Sequence, residues 1–138
     1  MIAFIQQKLR ATALADSTLY DMIGTRFFPE NVDLETDTNT FPMITFSLMG
    51  GFPDADNYAS NVILLDMSFI SDNSVDEAAK IYKQLKSLIN TELFSDTDNQ
   101  DYFIIREDTL PIDASGLYGD KLLYVYSNTW QVKTIETP

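Results

Sequence analysis

Residues 61–90 read NVILLDMSFISDNSVDEAAKIYKQLKSLIN, and two periodicities meet within them. In the first half Leu65, Met67 and Phe69 alternate with Asp66, Ser68 and Ile70. A spacing of two sorts these residues onto opposite faces of a strand, as expected of a sheet largely solvated on one side. Ser74-Val75-Asp76-Glu77 then forms a capping box, in which the Ser74 hydroxyl and the Glu77 carboxylate each satisfy a free backbone donor at a helix start. Beyond it Ala78, Ile81, Tyr82, Leu85, Leu88 and Ile89 fall at helical spacing, with Lys80, Lys83 and Lys86 off that stripe. A strand that turns directly into an amphipathic helix points to helices layered on a sheet.

Working upstream, Phe41 to Met49 is apolar and strand-like and ends at Gly50-Gly51, where the backbone can bend. Paired with 61–71 it predicts a hairpin whose tip is Phe52 to Tyr58. Glu30 to Thr40 is polar and acidic and reads as an exposed loop. Before it, Arg26-Phe27-Phe28 is a brief extended segment closed by Pro29, which has no ladder donor. Ile2, Ile5, Leu9 and Ala13 mark an amphipathic helix, and Asp16 or Ser17 can cap a second, Thr18 to Ile23, ended by Gly24.

Downstream, Ser95 to Asp101 reads as an acidic turn, Tyr102 to Arg106 as a short strand, and Glu107 to Asp120 as a connection. Lys121 to Thr134 is a long final strand, with Leu122, Tyr124, Tyr126, Trp130 and Val132 on one face and Leu123 and Val125 beginning the other. The predicted fold is α+β, a single domain over 1–138. Its amino-terminal helices and one long helix pack on a roughly four-stranded, mostly antiparallel sheet.

With 138 residues, 45% of them hydrophobic and 12% aromatic, the chain has material for one core and is too short for two ordinary domains. It contains no Cys and no His. Thiolate chemistry, disulfides and His-based general base catalysis are thereby excluded, and the expectation is a protein that is not an enzyme and needs no cofactor. The start of the chain carries Gln6, Gln7, Lys8 and Arg10 and lacks the unbroken apolar run of a signal peptide, so it is expected to belong to the folded domain. No apolar run is long enough to span a membrane, the longest aliphatic stretch being Val62 to Leu65.

Asp96, Asp98, Asn99, Asp101 and Glu107 have the rough spacing of a calcium loop, but Asp101 stands where the turn needs Gly and Tyr102 to Ile105 reads as a strand. A merely solvated turn is the better reading. Gly50-Gly51 lacks the further glycines and the Lys of a phosphate-binding loop. Lys80, Lys83 and Lys86 form the basic stripe; such a stripe solvates a helix, and it can also meet an acidic loop on a neighbouring subunit.

Acidic residues outnumber basic ones 21 to 9, for a net charge of −12. More than half of the 21 acids lie in predicted connections: Glu30, Asp33, Glu35 and Asp37; Asp54 and Asp56; Asp96, Asp98 and Asp101; Glu107, Asp108, Asp113 and Asp120. The elements between them are comparatively neutral and free to pack against neighbours.

The order of elements, with Leu19-Tyr20-Asp21-Met22-Ile23-Gly24-Thr25-Arg26-Phe27-Phe28-Pro29, a polar loop, Phe41-Pro42-Met43-Ile44-Thr45-Phe46, Asp66-Met67-Ser68-Phe69, Ala78-Ala79 and a closing aromatic strand, resembles the tail-completion or tail-terminator proteins of long-tailed bacteriophages. The resemblance spans most of the chain and implies a virion tail subunit, assembled in the host cytoplasm. It implies a closed ring of this chain, commonly six copies, that caps the tail tube protein, halts its polymerisation and meets the head–tail connector. DNA passes through such a ring without specific binding, and an acidic lumen repels phosphates. On this reading Phe27, Phe28, Lys80, Lys83 and Lys86 are candidates for the contact between copies. Glu30, Asp33, Glu35, Asp37, Asp54 and Asp56 are candidates for the lumen or for loop contacts. A different class is an acidic DNA mimic that inhibits a nucleic-acid-binding protein, which needs carboxylates arrayed along rigid elements.

Overall fold

The structure is a computed structural model that describes residues 2–29, 34, 39–53, 60–96 and 101–135. Helix α1 (Ile2–Ala15) buries Ile5, Leu9 and Ala13, one residue per turn on one face. Phe4 widens that face and meets Phe103 edge-on, with ring centroids 5.3 Å apart. Helix α2 (Ser17–Ile23) starts where Asp16 Oδ2 accepts from the Leu19 amide at 2.8 Å, and it stops at Gly24. There φ is +59°, a backbone conformation that side chains resist.

Two arginines clamp the turn that follows. Arg10 donates to the Phe27 carbonyl, and Arg26 Nε donates to the Pro42 carbonyl at 2.8 Å. They lay β1 (Phe27–Phe28) parallel to β2 (Met43–Pro53), with Phe27 opposite Ile44. Strand β2 continues past the point where the sequence predicts its end. Between Met49↔Leu64 and Phe52↔Val62 the register shifts, so Gly50-Gly51 forms a bulge opposite one residue of β3 (Ser60–Ser71). The β2–β3 pair is the expected antiparallel hairpin.

Helix α3 (Val75–Ile89) buries Ala78, Ile81, Tyr82, Leu85 and Ile89, as its periodicity requires. Its cap differs from the simple box. Ser74 Oγ accepts from the Glu77 amide at 3.1 Å, but the Glu77 carboxylate accepts from the Ser71 hydroxyl at 2.7 Å. That hydroxyl in turn accepts from the amides of Asn73 and Ser74. The last residue of β3 thus relays the cap and locks the strand-to-helix turn. After α3, Thr91 at φ +64° reverses the chain and its amide donates to the Ile105 carbonyl at 2.7 Å.

Four further short strands, of which the sequence predicts only the second, precede the long β8 (Lys121–Ile135): β4 (Leu93–Asp96), β5 (Asp101–Glu107), β6 (Ile112–Asp113) and β7 (Gly116–Tyr118). Among the described residues the strands run in the order β1-β2-β3-β8-β5-β4, with β6 and β7 also paired to β8, and every pairing except β1–β2 is antiparallel. A four-stranded sheet therefore understates the architecture, while the α+β class holds. Strand β8 is 15 residues long and is the hub, because no other strand borders so many partners.

The main core lies between the three helices and one sheet face. Leu65, Met67, Phe69, Phe103, Ile105, Trp130 and Val132 meet Ile5, Leu9, Leu19, Ile81 and Leu85 there. Fully burying one such side chain contributes roughly 1.5–3 kcal/mol. The opposite face is not uniformly solvated. Met43, Ile70, Leu123 and Val125 form a second buried cluster on it, covered by Phe28, Leu34, Phe41, Ala114 and Tyr118. Only the other half of that face is open among the described residues.

Candidate assembly surface

The side chains proposed from sequence separate in the structure. Phe27 is fully buried in the main core and packs with its ring tilted 41° against Phe46, ring centroids 4.9 Å apart, so it has no surface to offer a neighbour. That expectation is corrected: β1 turns Phe27 inward and leaves Phe28 half-buried at the second cluster. Lys80 and Lys83 are exposed on α3, whereas Lys86 is held by Glu107 at 3.1 Å and lies 5.7 Å from the Tyr82 ring centroid. Glu30, Asp33, Glu35, Asp37, Asp54 and Asp56 lie outside the described residues.

Glu107, read from sequence as a remote calcium-loop position, is committed elsewhere. It is only 10% exposed and accepts from the Tyr82 hydroxyl, from Lys86 Nζ and, at 3.0 Å, from Asn128 Nδ2. Asn128 Oδ1 accepts from the Trp130 indole at 2.8 Å, and the Glu107 amide donates to Asn90 Oδ1 at 3.0 Å. Burial first, then the Glu107 carboxylate, pushes the Tyr82 phenol up from its ordinary value. The hydrogen bond to Glu107 likewise raises Lys86. This network welds α3 to β5 and β8. Among the described residues no group of three or more His, Cys, Asp or Glu is placed to hold a metal ion.

An open cleft of about 360 Å³ lies beside the network, lined by Ala79, Tyr82, Lys83, Lys86, Pro111, Asp113 and Tyr126. Asp113 accepts from the Ser115 amide at 2.8 Å, and hydrogen bonding from Ser115 holds its carboxyl below the usual range. A second cleft of about 440 Å³ at the start of α3 is acidic, with Asp21, Asp76 and Glu77 set against Lys80.

No protein-family model matches the chain, and no curated protein matches it. A solved structure does. A chain from the structure titled "Virion of native gene transfer agent (GTA) particle" shares the fold, with a TM-score of 0.70. The match covers 95% of this chain and 94% of that one at 12% sequence identity. At that identity the likeness is one of fold, and it extends over nearly the whole of both chains.

The surface that sequence reading missed is the excursion between β5 and β8. Leu110 is 76% exposed, Ile112 67%, Leu117 74% and Leu122 52%. Leu117 and Leu122 sit directly opposite each other in the β7–β8 hairpin, so their side chains form one patch. Gly119 has φ +69° and Asp120 does not share a positive φ, which makes Gly119-Asp120 the two-residue turn with glycine first. That Gly-Asp pair between apolar residues is a hairpin signal in its own right. The sequence therefore carries the signal for this hairpin inside Glu107 to Asp120, the stretch whose Pro and Gly content reads as a connection.

The open half of the outer sheet face carries a second feature. Val62, Lys133 and Ile104 lie in one cross-strand row over β3, β8 and β5, and Gln131 and Arg106 lie in the next. With Thr91 they line a cleft of about 490 Å³. Val62 and Ile104 give it apolar walls, Lys133 lies between them in the same row, and the exposed Arg106 gives it positive charge.

Proposed function

We propose that the chain is a structural virion subunit that forms a ring at the head-proximal end of a phage-like tail tube. There it ends tube polymerisation and joins the tail to the head connector. The observation that carries the reading is the fold shared over 95% of the chain with a chain of a gene transfer agent virion. Landmark residues resembling tail terminators, from Leu19 to Pro29 and from Phe41 to Phe46, support the finer assignment. The partners are further copies of itself, six on the family's pattern, with the tube protein below and the connector above.

Physical features support assembly over catalysis. The chain has no His or Cys, and four large aliphatic side chains stand exposed within 110–122. Such apolar surface favours burial against another protein. Exposed Lys80 and Lys83 remain available to acidic loops of a neighbour. They also weigh against a DNA mimic, since α3 presents cations where phosphate-like carboxylates are required. A net charge of −12 suits a conduit through which DNA slides without sticking.

The test is light scattering and electron microscopy of the purified protein, alone and mixed with tail-tube and connector proteins. Rings that cap tubes are expected. A chain that stays monomeric in every mixture refutes the assignment.

A further inference from the structure

We propose that the tip of the β7–β8 hairpin of one copy seats in the Val62–Ile104–Arg106–Lys133 cleft of the next copy. The inference rests on the ring reading above and supplies its interface. The tip offers the exposed Leu117–Leu122 pair, with Asp120 exposed at the turn between them. Val62 and Ile104 wall the cleft, and the exposed Arg106 supplies the cation that faces the incoming tip. Leucines meet Val62 and Ile104, and Asp120 meets Arg106, so shape and charge are complementary in both halves of the contact. Room is sufficient: a cavity of roughly 150 Å³ admits a benzene-sized group, and the cleft measures about 490 Å³.

The tip cannot fill the cleft of its own chain. Leu122 and Gln131 lie nine residues apart on the same extended strand, roughly 30 Å at about 3.3 Å per residue. The occupant must come from another molecule, and a contact between two different patches of one chain is heterologous, the type that closes rings. A nucleic-acid occupant is disfavoured. Asp108 accepts from Gln131 Nε2 at 3.1 Å at the cleft edge, and Asp66 lies on the same sheet face. The whole chain is strongly acidic besides.

Because the chain contains no cysteine, a pair introduced for cross-linking reports without background. The double variant Leu117→Cys/Ile104→Cys, oxidised at concentrations where wild-type mass is a multiple of the subunit, is expected to give a ladder of covalent multimers. Each single variant is expected to give none. Independently, Arg106→Asp and Asp120→Arg each alter an exposed residue, and each is expected to raise the concentration for half-assembly about tenfold. Their combination is expected to restore it. Multimeric wild type with no ladder and no rescue overturns this interface while leaving the ring in place. A wild-type chain monomeric at every concentration overturns both. Loss of duplex-DNA retention by Arg106→Asp with unchanged multimer mass assigns the cleft to nucleic acid and overturns it as well.

Discussion

Replacing Glu107 with alanine isolates the network that joins α3 to the sheet. The carboxylate receives Tyr82, Asn128 and Lys86, and the first two are 6% and 4% exposed. Stranding a buried donor costs about 1–3 kcal/mol. Asn128 keeps a second acceptor, the Thr109 carbonyl at 3.3 Å, so its loss falls at the low end. Lys86 is 39% exposed and regains water, so its ion pair contributes about 0–1 kcal/mol. The sum is about 2–5 kcal/mol, which for an entropy of unfolding near 2.1 cal/mol/K per residue lowers Tm by about 7–17 °C. Trp130 is the sole tryptophan and donates to Asn128, so its fluorescence follows both unfolding and the network. Urea and thermal unfolding read by that signal are the assay. In a Tyr82→Phe background, where the donor is already gone, Glu107→Ala is expected to be milder by about 1 kcal/mol. A Glu107→Ala loss below about 0.5 kcal/mol, or an undiminished loss in the Tyr82→Phe background, would refute the account.

Other perturbations test separate parts of the fold. Tyr82 and Lys86 are both raised above their ordinary values of 10.0 and 10.5. Their stabilisation is therefore fully present below those values and lost as pH rises through the folded ones. Denaturation midpoints should be level near neutrality and fall above about pH 10. Tyr82→Phe should flatten that fall. Burial raises the Asp66 carboxyl, so its protonated form suits the folded state and the charge opposes folding at neutral pH. Asp66→Asn should raise Tm at pH 7 and leave it unchanged well below the carboxylate range. Asp16 caps α2 and accepts from Gln84 Nε2 of α3 at 2.9 Å. Asp16→Ala should cost about 1–2 kcal/mol by chemical denaturation.

What the sequence made legible follows from where its signals are local. The α3 stripe, the Asp16 cap and the Gly24 stop each depend on residues within a few positions of one another, and the β2–β3 hairpin, which pairs residues as distant as Met43 and Ile70, shows because each of its two strands carries its own apolar pattern. Strand β4 was hidden because Leu93-Phe94 is too short to show a period and its neighbours are acidic. The outer cluster was half visible: Ile70, Leu123 and Val125 are apolar on the wrong face for a one-sided sheet, and that mismatch was the signal that something covers it. Nothing local could announce the Glu107 network, whose side-chain partners stand 21 to 25 residues away. The cleft was equally hidden, because Val62, Ile104 and Lys133 become neighbours only through the order β3-β8-β5.

Salt dependence separates the two forces that act on assembly. Each copy carries −12 charges, so copies repel over distances longer than any single contact. The hairpin contact combines aliphatic burial, which is indifferent to modest salt, with one Asp120–Arg106 pair at close range. Raising ionic strength from about 0.01 to 0.15 M shortens the screening length from about 30 to 8 Å. That removes the long-range repulsion first and leaves most of the contact intact. Assembly should therefore strengthen over this range, seen as a falling concentration for half-assembly in light scattering. Steady weakening over the same range would mean that charge pairs, not Leu117 and Leu122, hold the copies together, and the aliphatic tip would lose its place at the interface.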